Sequence, residues 1–326
     1  MSVSELKLTA KAATEGVAEC IMEAGSRRVL YEKRGDTRLP MASTTKICTA
    51  ITVLDHVENL KEEIEIPDEA AGVEGSSVYL KSGEKYTVQD LLYGLMLRSG
   101  NDAATALALH FGGDIPRFSS MMNETAARSG ALCSRFSNPH GLPSEDHYTT
   151  ARDLSLITAY AMQNETFRKI VATKFYEPRG WANKNKMLTV YEGAIGVKTG
   201  YTRQAGRCLV SAAERNGMVL IATLLNCPTT YERTKELFDD CFDSYQFTPV
   251  LTAGEAVEVT FGNEKIRATV KESFSYPLLE AEKEYLEREI VASEMARRKP
   301  KKGEIIGEIQ IFLAKRLLFS TNLYKL

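Results

Sequence analysis

Pro40-Met41-Ala42-Ser43-Thr44-Thr45-Lys46 opens an apolar-periodic segment, Ile47, Ala50, Ile51, Leu54 and Val57, around which the rest of the chain is organised. As a helix, this segment places Ser43 and Lys46 three residues apart on one face of its first turn, so hydroxyl and amine can touch. A nucleophile then sits beside its own base. Unpaired N–H groups and the partial positive charge of a helix N-terminus favour an alkoxide or oxyanion at the same place. The bland use of Ser43 is as a plain N-cap. The same spacing recurs at Ser4 to Lys7 and at Ser82 to Lys85, so context has to decide. Ser82 lies in Lys81-Ser82-Gly83-Glu84-Lys85, which has turn composition and no helix-start composition.

Upstream, Val17 to Met22 and Arg28 to Lys33 are β-like runs about the turn cluster Ala24-Gly25-Ser26, which predicts an opening hairpin. Downstream, Lys61 to Ile66 and Val78 to Tyr86 are charged and Gly-punctuated, as in a small lobe or hairpins over a site. Thr87 then caps a helix over Val88 to Leu97, with Asp90 as a capping-box variant and Leu91, Leu92, Leu95 and Met96 as its apolar stripe. This helix stops at Arg98-Ser99-Gly100-Asn101, and the next runs from Asp102 to Phe111. Ser99 and Asn101 share that tight loop, and the glycine between them lets both side chains turn into a cleft.

Helical stretches follow over Ile115 to Ser129 and Thr150 to Met162, separated by the turn-rich segment Ser137-Asn138-Pro139-His140-Gly141-Leu142. Beyond an Asn- and Lys-rich loop from Trp181 to Lys186, Gly193 to Gly200 reads as a buried strand with a polar tip, Lys198-Thr199-Gly200. Arg207 to Glu214 and Met218 to Leu225 form a hairpin on the two-residue turn Asn216-Gly217. With the preceding strand they make a three-stranded antiparallel unit, closed by a helix over Tyr231 to Tyr245. In that hairpin Cys208 faces Leu225 and Cys227 faces Gly206, so the two cysteines are diagonal neighbours at roughly 7–8 Å. That is too far for an unstrained disulfide.

The 326 residues, 44% hydrophobic and 26% charged, suffice for one large domain plus a small one. A net charge of −2 gives no bulk attraction to nucleic acid or anionic membrane, and no nucleic-acid partner is expected. Nowhere is there a run of about 18 apolar residues, and Met1 to Ala13 lacks the apolar core of a signal peptide. Compartment stays open on that ground. Cys20, Cys48, Cys133, Cys208, Cys227 and Cys241 lack CxxC or His-paired spacing; they read as small buried hydrophobes, and no metal site is expected. His140, His147 and Trp181 read as structural. Near Phe247-Thr248-Pro249 the composition changes: Val257, Val259 and Phe261 alternate, Gly262-Asn263 turns, and Ile266, Ala268 and Val270, then Ile309, Ile311 and Leu313, alternate again. This predicts a first domain over residues 1–247 and a small β-rich domain over 248–326.

The order Ser43-x-x-Lys46, Ser99-Gly100-Asn101, Lys198-Thr199-Gly200 resembles the three-motif signature of penicillin-binding proteins and serine β-lactamases. The flanks Ala42-Ser43-Thr44-Thr45-Lys46, Ser99-Gly100-Asn101-Asp102-Ala103-Ala104, Asn138-Pro139-His140-Gly141-Leu142 and Lys198-Thr199-Gly200-Tyr201-Thr202 are similar to the low-molecular-mass D-alanyl-D-alanine carboxypeptidases. The resemblance covers residues 16 to about 245, and the tail is similar to that family's C-terminal β-domain. It implies an α+β fold: a β-lactamase/transpeptidase-like domain, an antiparallel sheet flanked by helices, followed by the small β-rich domain.

The chemistry implied is acyl transfer from a stem peptide ending in D-Ala-D-Ala, with β-lactams as covalent inhibitors and no cofactor. Ser43 is then the nucleophile and Lys46 its base, which must be substantially neutral despite a reference pKa of about 10.4. Burial and the second cation, Lys198, push it down. By resemblance Ser99 relays a proton to the departing amine and Asn101 fixes Lys46 and the substrate amide. Lys198, Thr199 and Gly200 meet the terminal carboxylate and the substrate backbone, with help from Arg203, and the N–H groups of Ser43 and Tyr201 form the oxyanion hole. The resemblance implies work in peptidoglycan synthesis and cell shape, outside the cytoplasm at the cell envelope. The basic run Arg297, Arg298, Lys299, Lys301, Lys302 reads as a solvated loop, which beside a membrane would give peripheral contact with anionic lipid. Two other functions share the motifs: a serine β-lactamase, and a non-catalytic sensor of β-lactams or muropeptides.

Overall fold

The computed structural model describes residues 16–261, 264–294 and 300–326. Met1 to Ala13, with Ser4 and Lys7, the turn Gly262-Asn263 and the basic residues Arg297, Arg298 and Lys299 lie outside them, as does the side chain of Phe261. The chain divides into two compact units between Cys241 and Phe242.

The first unit is built on a five-stranded antiparallel sheet. Its opening hairpin is β1 (Ala18–Glu23) with β2 (Val29–Lys33), and the order across the sheet is β2-β1-β9-β8-β7. β7 (Ala194–Thr202), β8 (Gly206–Arg215) and β9 (Met218–Leu225) are the expected three-stranded unit, and β9 also pairs with β1. The Asn216-Gly217 turn sets the register, which runs without slip from Leu209↔Leu224 to Arg215↔Met218. Beyond it the extrapolated facing of Cys227 and Gly206 fails. Asn226 takes a left-handed φ of 50°, and Cys227 N–H donates instead to the Arg207 carbonyl at 2.8 Å. All six cysteines are free thiols, and Cys133 is exposed while the other five are buried.

Two small hairpins, β3 (Glu63–Glu65) with β4 (Lys85–Thr87) and β5 (Phe175–Tyr176) with β6 (Trp181–Ala182), lie outside this sheet. The central helix α1 (Lys46–Leu54) is buried from Lys46 to Val53, so its apolar period is one face of an all-round buried element. Around it pack α3 (Asn101–Gly112), α4 (Ile115–Ser129), α5 (Ala151–Ala161) and α6 (Glu165–Ala172); α5 also lies on β1 and β9, and α6 on β7. The helix expected over Val88 to Leu97 starts as α2 (Val88–Tyr93), with the Thr87 hydroxyl accepting from Asp90 N–H, then widens into a π-helical turn over Gly94–Arg98. The Asp90 carboxylate takes hydrogen bonds from the Tyr176 phenol and Arg179. A short α7 (Met187–Val190) precedes β7.

The closing helix α8 (Thr230–Ser244) is fixed to the sheet by a buried ion pair. Arg233 reaches Glu19 on β1 with Nη2 at 2.9 Å and Nε at 3.1 Å, and both side chains are almost wholly excluded from solvent. Tyr31 bonds to both partners.

In the second unit β10 (Gln246–Leu251) pairs with β13 (Phe274–Leu278). β11 (Ala256–Phe261), β12 (Glu264–Thr269), β16 (Arg316–Lys325), β15 (Ile305–Leu313) and β14 (Leu286–Ala292) form a five-stranded sheet in that order. The alternating residues Val259, Ile266, Ala268, Val270, Ile309 and Ile311 are its core.

Candidate active site

Chain entry to α1 is a 3₁₀ turn, Ala42–Thr45, and not the first turn of an α-helix. With three residues per turn, positions i and i+3 eclipse, which brings Ser43 onto Lys46 more directly than α geometry would. Ser43 is therefore inside the turn and caps nothing. The two threonines close the turn themselves: Thr44 Oγ1 donates to the Met41 carbonyl at 2.6 Å and Thr45 Oγ1 to the Ala42 carbonyl at 2.8 Å. Ala42 has a left-handed φ of 50°, held from outside by the 138–142 loop. Gly141, at φ 89°, lies so close that a Cβ there would meet the Ala42 carbonyl oxygen at 1.9 Å, so only glycine fits.

His147 locks the same turn. Ser137 N–H donates to its Nδ1 at 3.1 Å, so Nε2 carries the proton and donates to Thr45 Oγ1 at 2.8 Å. Burial, with the Lys46 charge second, lowers His147 to about 4, which keeps that neutral tautomer at physiological pH.

Lys46 is fully buried and has three polar neighbours. Its Nζ donates to Asn101 Oδ1 and to the His140 carbonyl, each at 2.7 Å, and lies 3.1 Å from Ser43 Oγ. Burial is the largest cause holding this amine well below the usual lysine range, followed by the charges of Lys198 and Lys184, with Asp102 opposing. As a neutral amine Lys46 has two N–H bonds and one lone pair. Asn101 and His140 can only accept, so they take both N–H bonds and the lone pair is left for the Ser43 hydroxyl.

Lys198 is also buried, donates to the Thr199 carbonyl at 2.9 Å, and is lowered to about 7 by burial and then by Lys184. Asp102, the nearest buried carboxylate to this cluster in chain order, is occupied elsewhere. It accepts from the backbone of Val78, Leu80 and Ala103 and from the Ser77 hydroxyl, pinning the 77–80 segment to α3. Asn101 ties down the preceding residues through Glu74 and Ser76.

Ser43 and Lys184 border a cavity of about 520 Å³, behind whose lining Lys46, Asn101 and Lys198 are buried. Its lining comprises Ser43, Ser76, Ser99, Lys184, Thr199, Gly200, Tyr201, Arg207, Cys208, Thr230 and Tyr231. Ser99, at a left-handed φ of 65°, ends the π-helical turn and faces this space nearly buried. Gly200 has a packing reason of its own: a Cβ there would meet Met41 O, Ser43 N and Thr44 N, each at 3.1 Å. β7 is thus pressed against the Ser43 turn. Arg203, in the turn after β7, and Arg207, at the start of β8, are both exposed; Arg207 lines the cavity and Arg203 does not.

Three participants have no counterpart among the site residues read from the sequence: the His140 carbonyl, Lys184 and Arg207. Lys184 belongs to the Asn/Lys-rich loop, which Asn183 and Asn185 shape by accepting from Asn185 N–H and Met187 N–H. Its backbone N–H donates to the Leu97 carbonyl at 3.1 Å, and its amine lies 3.4 Å from Ser76 Oγ. Such Asx turns are a legible signal of an ordered loop.

Residues 3–229 match the D-alanyl-D-alanine carboxypeptidase peptidase family, well over half of the chain. The chain belongs to that family. Residues 245–326 match the penicillin-binding protein 5 C-terminal domain. Among curated carboxypeptidases, it is 31% identical to DacF of Bacillus subtilis, over 82% of this chain and 74% of that one, and 39% identical to the Streptomyces K15 enzyme, over 63% and 78%. The solved structure of the Streptomyces K15 DD-transpeptidase matches 72% of this chain and all of its own at 36% identity, TM-score 0.67. Penicillin-binding protein 5 of Haemophilus influenzae shares the fold over 98% of both chains, TM-score 0.79 at 24% identity. The two-domain α+β architecture is that of this carboxypeptidase family, a family of serine hydrolases that act on peptidoglycan D-Ala-D-Ala peptides and bind β-lactams. This overrides the β-lactamase and sensor alternatives.

Proposed function

We propose that this serine D-alanyl-D-alanine carboxypeptidase removes the terminal D-Ala of peptidoglycan stem peptides through an acyl-enzyme on Ser43. The observation that carries the assignment is the hydrogen-bond set of Lys46, which aims its lone pair at Ser43 Oγ. Ser43 Oγ attacks the carbonyl of the penultimate D-Ala while its proton passes to Lys46. The N–H groups of Ser43 and Tyr201 stabilise the oxyanion, and the pressing of Gly200 onto Ser43 N supports that pairing. Ser99 relays that proton from Lys46 to the departing D-Ala nitrogen as the C–N bond breaks, which leaves Lys46 neutral again. Water then attacks the ester as its proton passes to Lys46, and Lys46 returns that proton to Ser43 Oγ as the bond from Ser43 to the acyl carbon breaks and the shortened peptide leaves. A β-lactam acylates the same oxygen by opening its ring. Lys198, Thr199 and Gly200 hold the terminal carboxylate and the substrate backbone; Asn101 holds Lys46 and the substrate amide.

The reaction belongs to the first domain, residues 1–247, with the β-rich domain over 248–326. Its place is the cell envelope, outside the cytoplasm, in peptidoglycan maturation and cell shape, as a secreted enzyme whose C-terminal region touches the membrane surface. No helix among the described residues is long and apolar enough to cross a membrane. The test is release of D-Ala from a peptide ending in Lys-D-Ala-D-Ala, expected from the wild-type chain and absent from Ser43→Ala; equal release from both would overturn the assignment.

A further inference from the structure

The hairpin β5–β6, which leads into the Lys184 loop, has only two residue pairs, Phe175↔Ala182 and Tyr176↔Trp181. A two-stranded hairpin of that size does not hold its own shape in water. Its place is therefore set by what grips it from outside, and the grips come from α2 and from the π-helical turn that ends at Ser99.

The first grip is Asp90, only 7% exposed in the first turn of α2. The Tyr176 phenol donates to its Oδ1 at 2.7 Å, and Arg179 Nη2 donates to its Oδ2 at 2.6 Å. One carboxylate thus holds both a strand of the hairpin and the turn that joins its strands. Aromatic rings surround the pair. Tyr93 stacks on Tyr176 at 3.9 Å, and the Arg179 guanidinium lies 4.3 Å from the centroid of the Tyr86 ring, whose phenol donates to Glu84. Further along, Trp181 packs so closely on Gly94 that a Cβ there would meet its ring at 3.1 Å. Arg98 donates to the Ala182 carbonyl at 3.3 Å, and Lys184 N–H donates to the Leu97 carbonyl at 3.1 Å. Hairpin and turn are joined along their length, and each delivers one residue to the cavity lining, Lys184 and Ser99.

The Lys184 amine brings a charge to this cavity. Lys46 on α1, Lys198 on β7 and Arg98 in the π-helical turn are the cations around it, and its charge helps to hold both buried lysines below the usual range. Repulsion of this kind falls off with separation, so it depends on where the loop is held.

We propose that Asp90, gripping Tyr176 and Arg179, is a positioning residue for acylation of Ser43: it fixes the Lys184 loop against the Ser99 turn and so sets how near the Lys184 charge stands to Lys46. This rests on the acyl-enzyme reading with Lys46 as the base.

The experiment follows the benzylpenicillin acylation rate constant of the full chain against pH, with thermal unfolding alongside. Arg179→Met and Asp90→Asn should each loosen the loop, let the Lys184 charge recede and raise the Lys46 pKa, so the acidic limb moves to higher pH. At a pH on that limb the rate constant should fall roughly 3- to 10-fold. The shared direction is diagnostic. Acting only through their own charges, loss of the cation at 179 would move the limb up and loss of the anion at 90 would move it down. In a Lys184→Met background, where the limb has already moved, neither substitution should move it further. Arg179→Lys should restore part of the wild-type position. If Arg179→Met or Asp90→Asn fails to fold, Tyr176→Phe, which removes a single hydrogen bond, carries the same comparison. A lower melting temperature with the limb unmoved, limbs that move in opposite directions, or shifts that add in full to that of Lys184→Met would each overturn the inference. A wild-type chain that is not acylated, or whose acylation has no acidic limb, would instead overturn the acyl-enzyme reading beneath it.

Discussion

Lys46 Nζ lies 3.1 Å from Ser43 Oγ while donating at 2.7 Å to two oxygens that have no proton to return, Asn101 Oδ1 and the His140 carbonyl. The direction of proton transfer follows from that asymmetry. Asn101→Asp replaces a neutral acceptor by a carboxylate at the same distance, which favours the charged ammonium and removes the lone pair. Acylation by benzylpenicillin at pH 7 should fall by about 100-fold or more, the range general-base contributions span, with the fold intact by circular dichroism. An unchanged rate would mean Lys46 is not the base.

The two buried lysines set the pH dependence. Lys46 works unprotonated, and burial first, then the Lys198 and Lys184 charges, hold its pKa down. Lys198, at about 7, carries its own charge mainly below that pH, where it opposes protonation of Lys46. Lys198→Met removes that charge, so the Lys46 pKa rises and the acidic limb of the acylation profile moves to higher pH. The check is the pH dependence of the penicillin acylation rate constant; a limb that stays put would uncouple the pair.

Close packing of β7 on the Ser43 turn gives a steric prediction. A methyl at position 200 would press on Met41 O, Ser43 N and Thr44 N, and it would move either the strand or the nucleophile. Displacements near 1 Å cost about 100-fold in rate. Gly200→Ala should lower kcat/KM on that scale while shifting the melting temperature little, as measured by D-Ala release and thermal unfolding side by side.

Far from the cavity, Glu19 and Arg233 bury an ion pair between β1 and α8. Removing one member strands the other charge, which costs about 3–5 kcal/mol. Arg233→Ala should lose stability on that scale in urea unfolding, and a variant carrying Glu19→Leu and Arg233→Met together should recover much of it.

What the sequence makes legible is local or ordered. Thr87 caps its helix, Asn216-Gly217 sets the hairpin register from Leu209 to Arg215, and the three motifs supply Ser43, Lys46, Ser99 and Thr199, which share one site. What stays hidden is tertiary. The left-handed Ala42 exists because Gly141 presses on it from a loop about a hundred residues on. A backbone carbonyl such as that of His140 carries no side-chain signature at all. Lys184 and Arg207 look like ordinary solvated cations until the fold gathers them at one cavity, which Arg203 does not line. Pairing of β1 with β9 joins the two ends of the first unit and cannot be read from either alone.

The central claim is that Ser43 is the acyl-accepting nucleophile. Intact-mass measurement of the full chain after exposure to benzylpenicillin tests it most directly. The wild-type chain should gain the mass of one penicilloyl group, and Ser43→Ala should gain none; one adduct of the same mass on Ser43→Ala would contradict the account.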